Sequence, residues 1–265
     1  MRKDDFQFIQ ELARNAGVIL KHYQTQEFKT SHKGKNDLIT EADLAAEKFI
    51  LREISLHYPE DQILSEEEKP ENIQRKGRLW VIDPLDGTTN FSRFFPIFTV
   101  SIALVINGEI ELACIYTPML EELYTAQKGQ GAFLNGKKLN VSSNLSLEEA
   151  FLATGFAYDT HENPENNLRE FSHFTLRVMA IRRAGSASWD LANIARGSFD
   201  AYWERGLKPW DIAAGILLVQ EAGGKISDYQ GNPIDLFNPA RILVSNRKIH
   251  ETMLQEFKKI KSSEE

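Results

Sequence analysis

Two aspartates, Asp83 and Asp86, follow an apolar run at residues 79–82, where Asp-Pro and Asp-Gly force the chain to turn. The run reads as a short buried strand ended by Pro84 and Gly87, so both carboxylates sit at one strand end. Hard cations such as Mg²⁺ need oxygen ligands and keep open positions for phosphate oxygens, and the turn carbonyl of Leu85 would add a donor. Gly87, Thr88 and Thr89 come next, and a helix starting there would face its free backbone N–H groups toward an anion beside the metal. Asp-Pro and Asp-Gly are also ordinary turn dipeptides, so this stretch alone fits a plain turn as well.

Two further acidic segments weigh against the plain turn. Glu66, Glu67 and Glu68 end a short apolar stretch, although a solvated charge run accounts well for two of the three. Downstream, Pro209 suits the first turn of a helix, Asp211 its positive end, and Gly223 or Gly224 its stop. Ala213, Ala214 and Gly215 are small enough to let that helix approach a neighbour closely. Asp211 also reads as a residue that only compensates the helix dipole.

Together these segments resemble the inositol monophosphatase family of Mg²⁺-dependent, lithium-sensitive sugar phosphatases, in its bacterial and archaeal form. The resemblance covers most of the chain. It rests on Asp-Pro-Leu-Asp-Gly-Thr-Thr-Asn-Phe at 83–91 and on Trp-Asp-Ile-Ala-Ala-Gly at 210–215 followed by Glu-Ala-Gly-Gly at 221–224. Residues 33–43 are similar to the mobile loop and helix start of bacterial members, and Gly185-Ser186-Ala187 with residues 200–204 to their substrate-binding segment. Ser65 stands where the family usually has glycine, and the match admits Glu67 in place of Glu66 as the main metal ligand.

The resemblance implies an α/β fold, a five-layer αβαβα sandwich with the site between its halves. It implies a phosphomonoesterase in which water activated by metal attacks phosphorus without a phosphoenzyme. Glu66, Asp83 and the Leu85 carbonyl would hold one ion, and Asp83, Asp86 and Asp211 a second, roughly 3.5–4 Å away. A third, near Glu66 and Glu67, would make two or three Mg²⁺ per subunit. Thr88 would orient the water and donate to Asp43, which also completes a capping box with Thr40. Gly87 and Thr88 N–H groups would bind phosphate, with Glu204, Asp86 and Ala187 meeting sugar hydroxyls. Arg205, where relatives often carry an apolar residue, adds a guanidinium that would favour a second phosphate. Lys33, in the mobile-loop segment, is a further candidate for ordering metal or phosphate; a solvated surface lysine is the plain alternative. Myo-inositol 1-phosphate is the expected substrate, with fructose 1,6-bisphosphate or dual specificity as the alternative. A reading of another class is a non-enzymatic partner-binding protein on a phosphatase fold.

The elements that must position these residues follow from periodicity. Phe6, Ile9, Leu12, Ala13, Ala16 and Leu20 recur at helical spacing, residues 24–37 read as an exposed loop, and Thr40 caps a second helix reaching about residue 57. Strand signals dominate residues 97–141, with hairpin turns at Asn107-Gly108 and Asn135-Gly136. The second half alternates strands near Phe151, Ala180 and Phe199 with helices near 165–176, 186–196 and 210–222. Two coupled units are expected, 1–145 with most metal ligands and 146–265 with Asp211 and the substrate pocket.

Composition narrows the alternatives. A 42% hydrophobic share argues against disorder, and a formal charge of −7 against a general polyanion-binding surface, so no nucleic-acid partner is expected. The single cysteine, Cys114, excludes an internal disulfide. No apolar run reaches bilayer-spanning length and residues 1–5 lack a signal-peptide pattern, so a cytoplasmic enzyme without a membrane partner is expected, as a homodimer. Gly131 to Lys137 imitates a P-loop but lacks its Ser or Thr. Neither Gly-x-Ser-x-Gly nor His-Glu-x-x-His occurs.

Overall fold

Ile9, Leu12, Ala13, Ala16 and Leu20 form the buried stripe of α1 (Asp5–Tyr23) in the computed structural model, which describes residues 1–265 except 3, 33, 35–37, 68–72 and 263–265. A small antiparallel ribbon of β1 (Thr30–His32) and β2 (Leu38–Thr40) follows, β1 inside the stretch 24–37 expected as a loop and β2 just after it. β1 is exposed along its length, so no apolar alternation marks it in the sequence. Thr40 caps α2 (Glu41–His57) as expected: its hydroxyl accepts from the N–H groups of Ala42 and Asp43, and the Asp43 carboxylate accepts from Thr40 N–H at 2.8 Å.

β3 (Gln62–Ser65) lies parallel to β4 (Arg78–Asp86), and a five-residue helix, α3 (Thr88–Ser92), follows the turn. β4 does not stop at Pro84. Its antiparallel pairing with β5 (Thr99–Ile106) slips between Asp83 and Asp86, and this irregularity accommodates a proline with no N–H to give the ladder. β6 (Glu109–Thr117), β7 (Glu122–Gln127), β8 (Gly131–Leu134) and β9 (Lys137–Lys138) complete a seven-stranded sheet in the order β3-β4-β5-β6-β7-β8-β9. Asn107-Gly108 and Asn135-Gly136, all at positive φ, close two of its hairpins.

The second half runs β10 (Phe151–Thr154), α4 (Leu168–Thr175), β11 (Ala180–Arg182), α5 (Ala187–Ala195), β12 (Ala201–Arg205), α6 (Pro209–Glu221), β13 (Lys225–Ser227), β14 (Arg241–Ser245) and α7 (His250–Ser262). Its sheet has five strands in the order β11-β10-β12-β14-β13.

Strand alternation sorts the core into layers. Trp80, Ile82, Ile102 and Cys114 pack toward α1 and α2, whereas Leu79, Val81, Ala103 and Ala113 share a core with α5 and α6. In the second sheet, Ala153, Tyr202 and Val244 face that same central core, while Leu152, Trp203 and Leu243 pack with α4 and α7. The result is the αβαβα sandwich. No helix among the described residues is long and apolar enough to cross a membrane.

The central layer depends on a close crossing of α5 and α6. A β-carbon on Gly215 would lie 2.5 Å from Leu191 Cβ and would also strike Leu191 Cδ1. Leu191 is fully buried, so it cannot swing aside. Gly215→Val is expected to destabilise the fold by about 1–3 kcal/mol through overpacking, with little gain in helix propensity. Urea unfolding should show a lower midpoint at unchanged slope; an unaltered midpoint would mean that the two helices part freely.

Candidate active site

The turn after β4 is built around Gly87, whose φ of +95° suits glycine and where a β-carbon would meet the Ile97 carbonyl at 3.0 Å. This turn folds Thr88 back over Leu85. Thr88 Oγ1 lies 3.0 Å from both Asp43 Oδ1 and the Leu85 carbonyl oxygen. One hydroxyl hydrogen can serve only one of these acceptors at a time. Asp43 is fully buried at the start of α2, where Thr40 N–H and Oγ1 donate to its other oxygen.

Asn90 joins the two halves of the chain by donating to the Ile97 carbonyl at 2.7 Å and the Ala184 carbonyl at 2.8 Å. The segment leading into α5 is thereby held against the turn. Asp86 Oδ2 accepts from Ser186 Oγ at 2.8 Å, Ser188 N–H at 2.7 Å and Ser188 Oγ at 2.6 Å. Asp83 Oδ1 accepts from Leu85 N–H at 3.0 Å, and Asp211 Oδ2 from Lys208 N–H at 2.6 Å. Glu66 is carried beside them by the parallel pairing of β3 with β4, its N–H bonded to the Ile82 carbonyl at 3.2 Å.

These residues line one cleft of about 210 Å³. Its walls include Glu66, Asp83, Leu85, Asp86, Gly87, Thr88, Ala187, Glu204, Arg205 and Asp211, all singled out by sequence. Asp43 stands behind Thr88. Glu67 is not among the described lining residues; its N–H donates to Glu47 at 3.2 Å. Lys33 lies outside the described residues. Arg205 lines the cleft but is ion-paired with Asp159. A larger cavity of about 560 Å³ lies farther along α6, at Ile216 and Gln220. There Arg75 pairs with Asp235 at 2.8 Å and Lys128 with Glu109 at 3.4 Å, so its charges are matched and no acids converge.

Sequence reading missed Arg183, Ser188 and Asp190 as parts of the site, and quoted Asn90 and Ser186 within its motifs without giving either a role. Ser186 and Asp190 look like ordinary helix-start residues, and Ser186 does cap α5 by accepting from Trp189 N–H. Nothing local marks Arg183.

The electrostatics favour a cation. Burial, followed by the charges of Glu66, Asp86 and Asp211, pushes the Asp83 carboxyl well above the usual range. Burial and the Asp86 charge do the same to Asp211. Asp86 is also raised, chiefly by burial, against the pull of its serine donors. Glu204 is raised to about 7 by burial, opposed by hydrogen bonding from Tyr202 and by the Arg183 charge. Among the described residues, no three acids, histidines or cysteines close around one point tightly enough to cage an ion alone. Carboxylate oxygens with the Leu85 carbonyl are the kind of donor a hard cation takes. The Asp83, Asp86 and Asp211 bonds named above each engage one carboxylate oxygen and leave the other as a donor, so the residues present fit the metal.

Crowded acids should weaken the metal-free fold. Asp83→Asn is expected to stabilise the metal-free protein by about 0.5–2 kcal/mol, since the amide oxygen can still accept from Leu85 N–H. The rise in melting temperature on adding Mg²⁺ should shrink in the same variant. A lower melting temperature without metal would mean that Asp83 is kept for the fold.

The chain matches the inositol monophosphatase family over residues 2–262. It is 42% identical to an inositol monophosphatase from Dictyostelium discoideum over 88% of this chain and 86% of that one. It is also 42% identical to the Nus factor SuhB of Escherichia coli K12, over 91% of each. The solved inositol monophosphatase from Anabaena superposes with a TM-score of 0.87 at 40% identity, covering 96% of this chain and 95% of that one.

Proposed function

The chain belongs to the inositol monophosphatase family of metal-dependent phosphoric monoester hydrolases, and on that premise we propose that it hydrolyses myo-inositol 1-phosphate with Mg²⁺ as its metal. The observation that carries this reading is the meeting of Glu66, Asp83, Asp86 and Asp211 with Thr88 in one cleft that also contains Glu204. Glu66, Asp83 and the Leu85 carbonyl would hold one ion, and Asp83, Asp86 and Asp211 another, with Glu66 and Glu67 near a third. Bound there, the ions would supply Lewis-acid polarisation of water and phosphate and neutralise the leaving oxygen.

The chain's own residues do the rest. Thr88 gives its hydroxyl hydrogen to Asp43, so a lone pair on Oγ1 is left to accept from the attacking water and aim it at phosphorus. Asp43, fixed by Thr40, can take the Thr88 hydroxyl proton as Oγ1 receives one from the water. Gly87 and Thr88 N–H groups meet phosphate oxygens, while Glu204, Asp86 and Ala187 meet the sugar. Residues 1–145 thus carry most metal ligands, and 146–265 carry Asp211 and the sugar wall. The ion pair of Arg205 with Asp159 supports a monophosphate over fructose 1,6-bisphosphate, because it engages one terminal nitrogen of that guanidinium. The lone, buried Cys114 fits a reducing cytoplasm.

A substrate panel tests the reading. Myo-inositol 1-phosphate should be turned over in preference to fructose 1,6-bisphosphate, and a chelator should abolish the activity. Thr88→Ala should lower kcat about 10²-fold with a smaller change in KM. Failure to hydrolyse any phosphate monoester with Mg²⁺ would sink the proposal.

A homodimer is part of the same proposal. β11 is an edge strand, and beside it in the chain Leu176 and Met179 are 84% and 64% exposed. Phe94 and Phe95, next to the Asn90 link to Ala184, are 62% and 50% exposed. An unpaired edge flanked by apolar side chains favours association. Light scattering should report a dimer for the wild type and a monomer for Leu176→Glu/Met179→Glu; a wild-type monomer at micromolar concentration would refute it.

A further inference from the structure

Asp190 lies in the first turn of α5, is 1% exposed, and lines the cleft together with Glu204 and Arg183. Its Oδ1 is buried without a hydrogen-bond partner. A carboxylate near a helix start ordinarily earns its place by accepting from free first-turn N–H groups. Those groups are served by others here: Ser186 Oγ accepts from Trp189 N–H at 3.4 Å, and Asp86 from Ser188 N–H at 2.7 Å. Asp190 Oδ1 therefore has no partner among the described residues. An unpaired buried carboxylate oxygen is destabilising, and a native chain keeps one where something outside the chain completes it.

The surroundings restrict what that something is. Glu204, Asp86 and Asp190 bring negative charge to this wall, and Arg183 brings positive charge. A second phosphate would be repelled by the acids, and an apolar group would leave Oδ1 unpaired. A hydroxyl suits the place in either protonation state, since it can donate to a carboxylate or accept from a carboxyl. Glu204 already accepts from the Tyr202 hydroxyl, which fixes its carboxyl beside Gly155, where any side chain would collide with it.

We propose that Asp190 is a specificity-determining residue that, next to Glu204, binds a ring hydroxyl of the leaving polyol and so selects polyhydroxylated alcohols over simple ones. This rests on the phosphatase reading of the same cleft. The test compares wild type with Asp190→Asn on two esters, myo-inositol 1-phosphate and p-nitrophenyl phosphate, whose leaving group has no hydroxyl to offer Asp190. The variant should lose about 10- to 100-fold more kcat/KM on the inositol ester than on the nitrophenyl ester, mostly through KM. Its metal-free melting temperature should equal or exceed that of wild type, because Oδ1 makes no bond that the variant would lose.

Equal losses on both esters, or a lower melting temperature, would make Asp190 a structural residue and overturn the assignment. No loss on either would mean that only water completes Oδ1, and would overturn it too. Wild-type turnover of the nitrophenyl ester but not the inositol ester would leave the phosphatase reading standing and refute the role of Asp190. Turnover of neither would instead refute the phosphatase reading.

Discussion

Like charges gathered in a buried cleft repel one another, and the local architecture of this protein is arranged to hold them there. Asp83 is fixed by Leu85 N–H at the irregular end of β4, Asp86 by the start of α5, Glu66 by a parallel neighbour, and Asp211 by the first turn of α6. Each aspartate has one oxygen tied to a backbone or serine donor, which restricts the carboxylate from rotating away from its neighbours. The repulsion that remains favours a cation between them.

Holding acids from distant parts of the chain requires that the parts be locked together. Asn90 spans from the turn to Ala184, and Thr99 Oγ1 meets Ser188 Oγ at 2.5 Å. Ser101 Oγ reaches the Trp210 carbonyl at 3.3 Å, just before Asp211. These links run from the first sheet to the helices of the central layer. The close crossing of α5 and α6 then holds the helix of Asp211 against the helix of Asp190. The geometry of the cleft therefore depends on core packing as well as on its polar links.

Much of the site was legible in the sequence because its acids sit beside residues with strong backbone preferences. Asp-Pro and Asp-Gly announce a turn, and Pro209 with Gly223 frames the helix bearing Asp211. The extension of β4 through Pro84 was not legible, since a proline argues against strand and only a partner's slipped register accommodates it. β1 carries no apolar alternation and pairs through backbone alone. Asp190 and Arg183 were hidden for another reason: their place in the cleft arises from the packing of α5 against two sheets, and no spacing within 183–190 encodes that. Arg205 was legible as an unusual cation, but its pairing with Asp159 depends on a loop whose course the sequence leaves open.

The five-layer stack also sets an order of assembly during synthesis. Leu79, Val81, Ala103 and Ala113 on the inner face of the first sheet find their cover only in α5 and α6. A ribosome that has delivered the first sheet thus holds a half-dressed sandwich, clad by α1 and α2 on one side and bare on the other. α6, buried nearly from end to end, has equally little to gain from folding before both sheets are present. Until residue 221 is made, that apolar sheet face lacks its native cover, and transiently exposed surface of this kind is prone to aggregation.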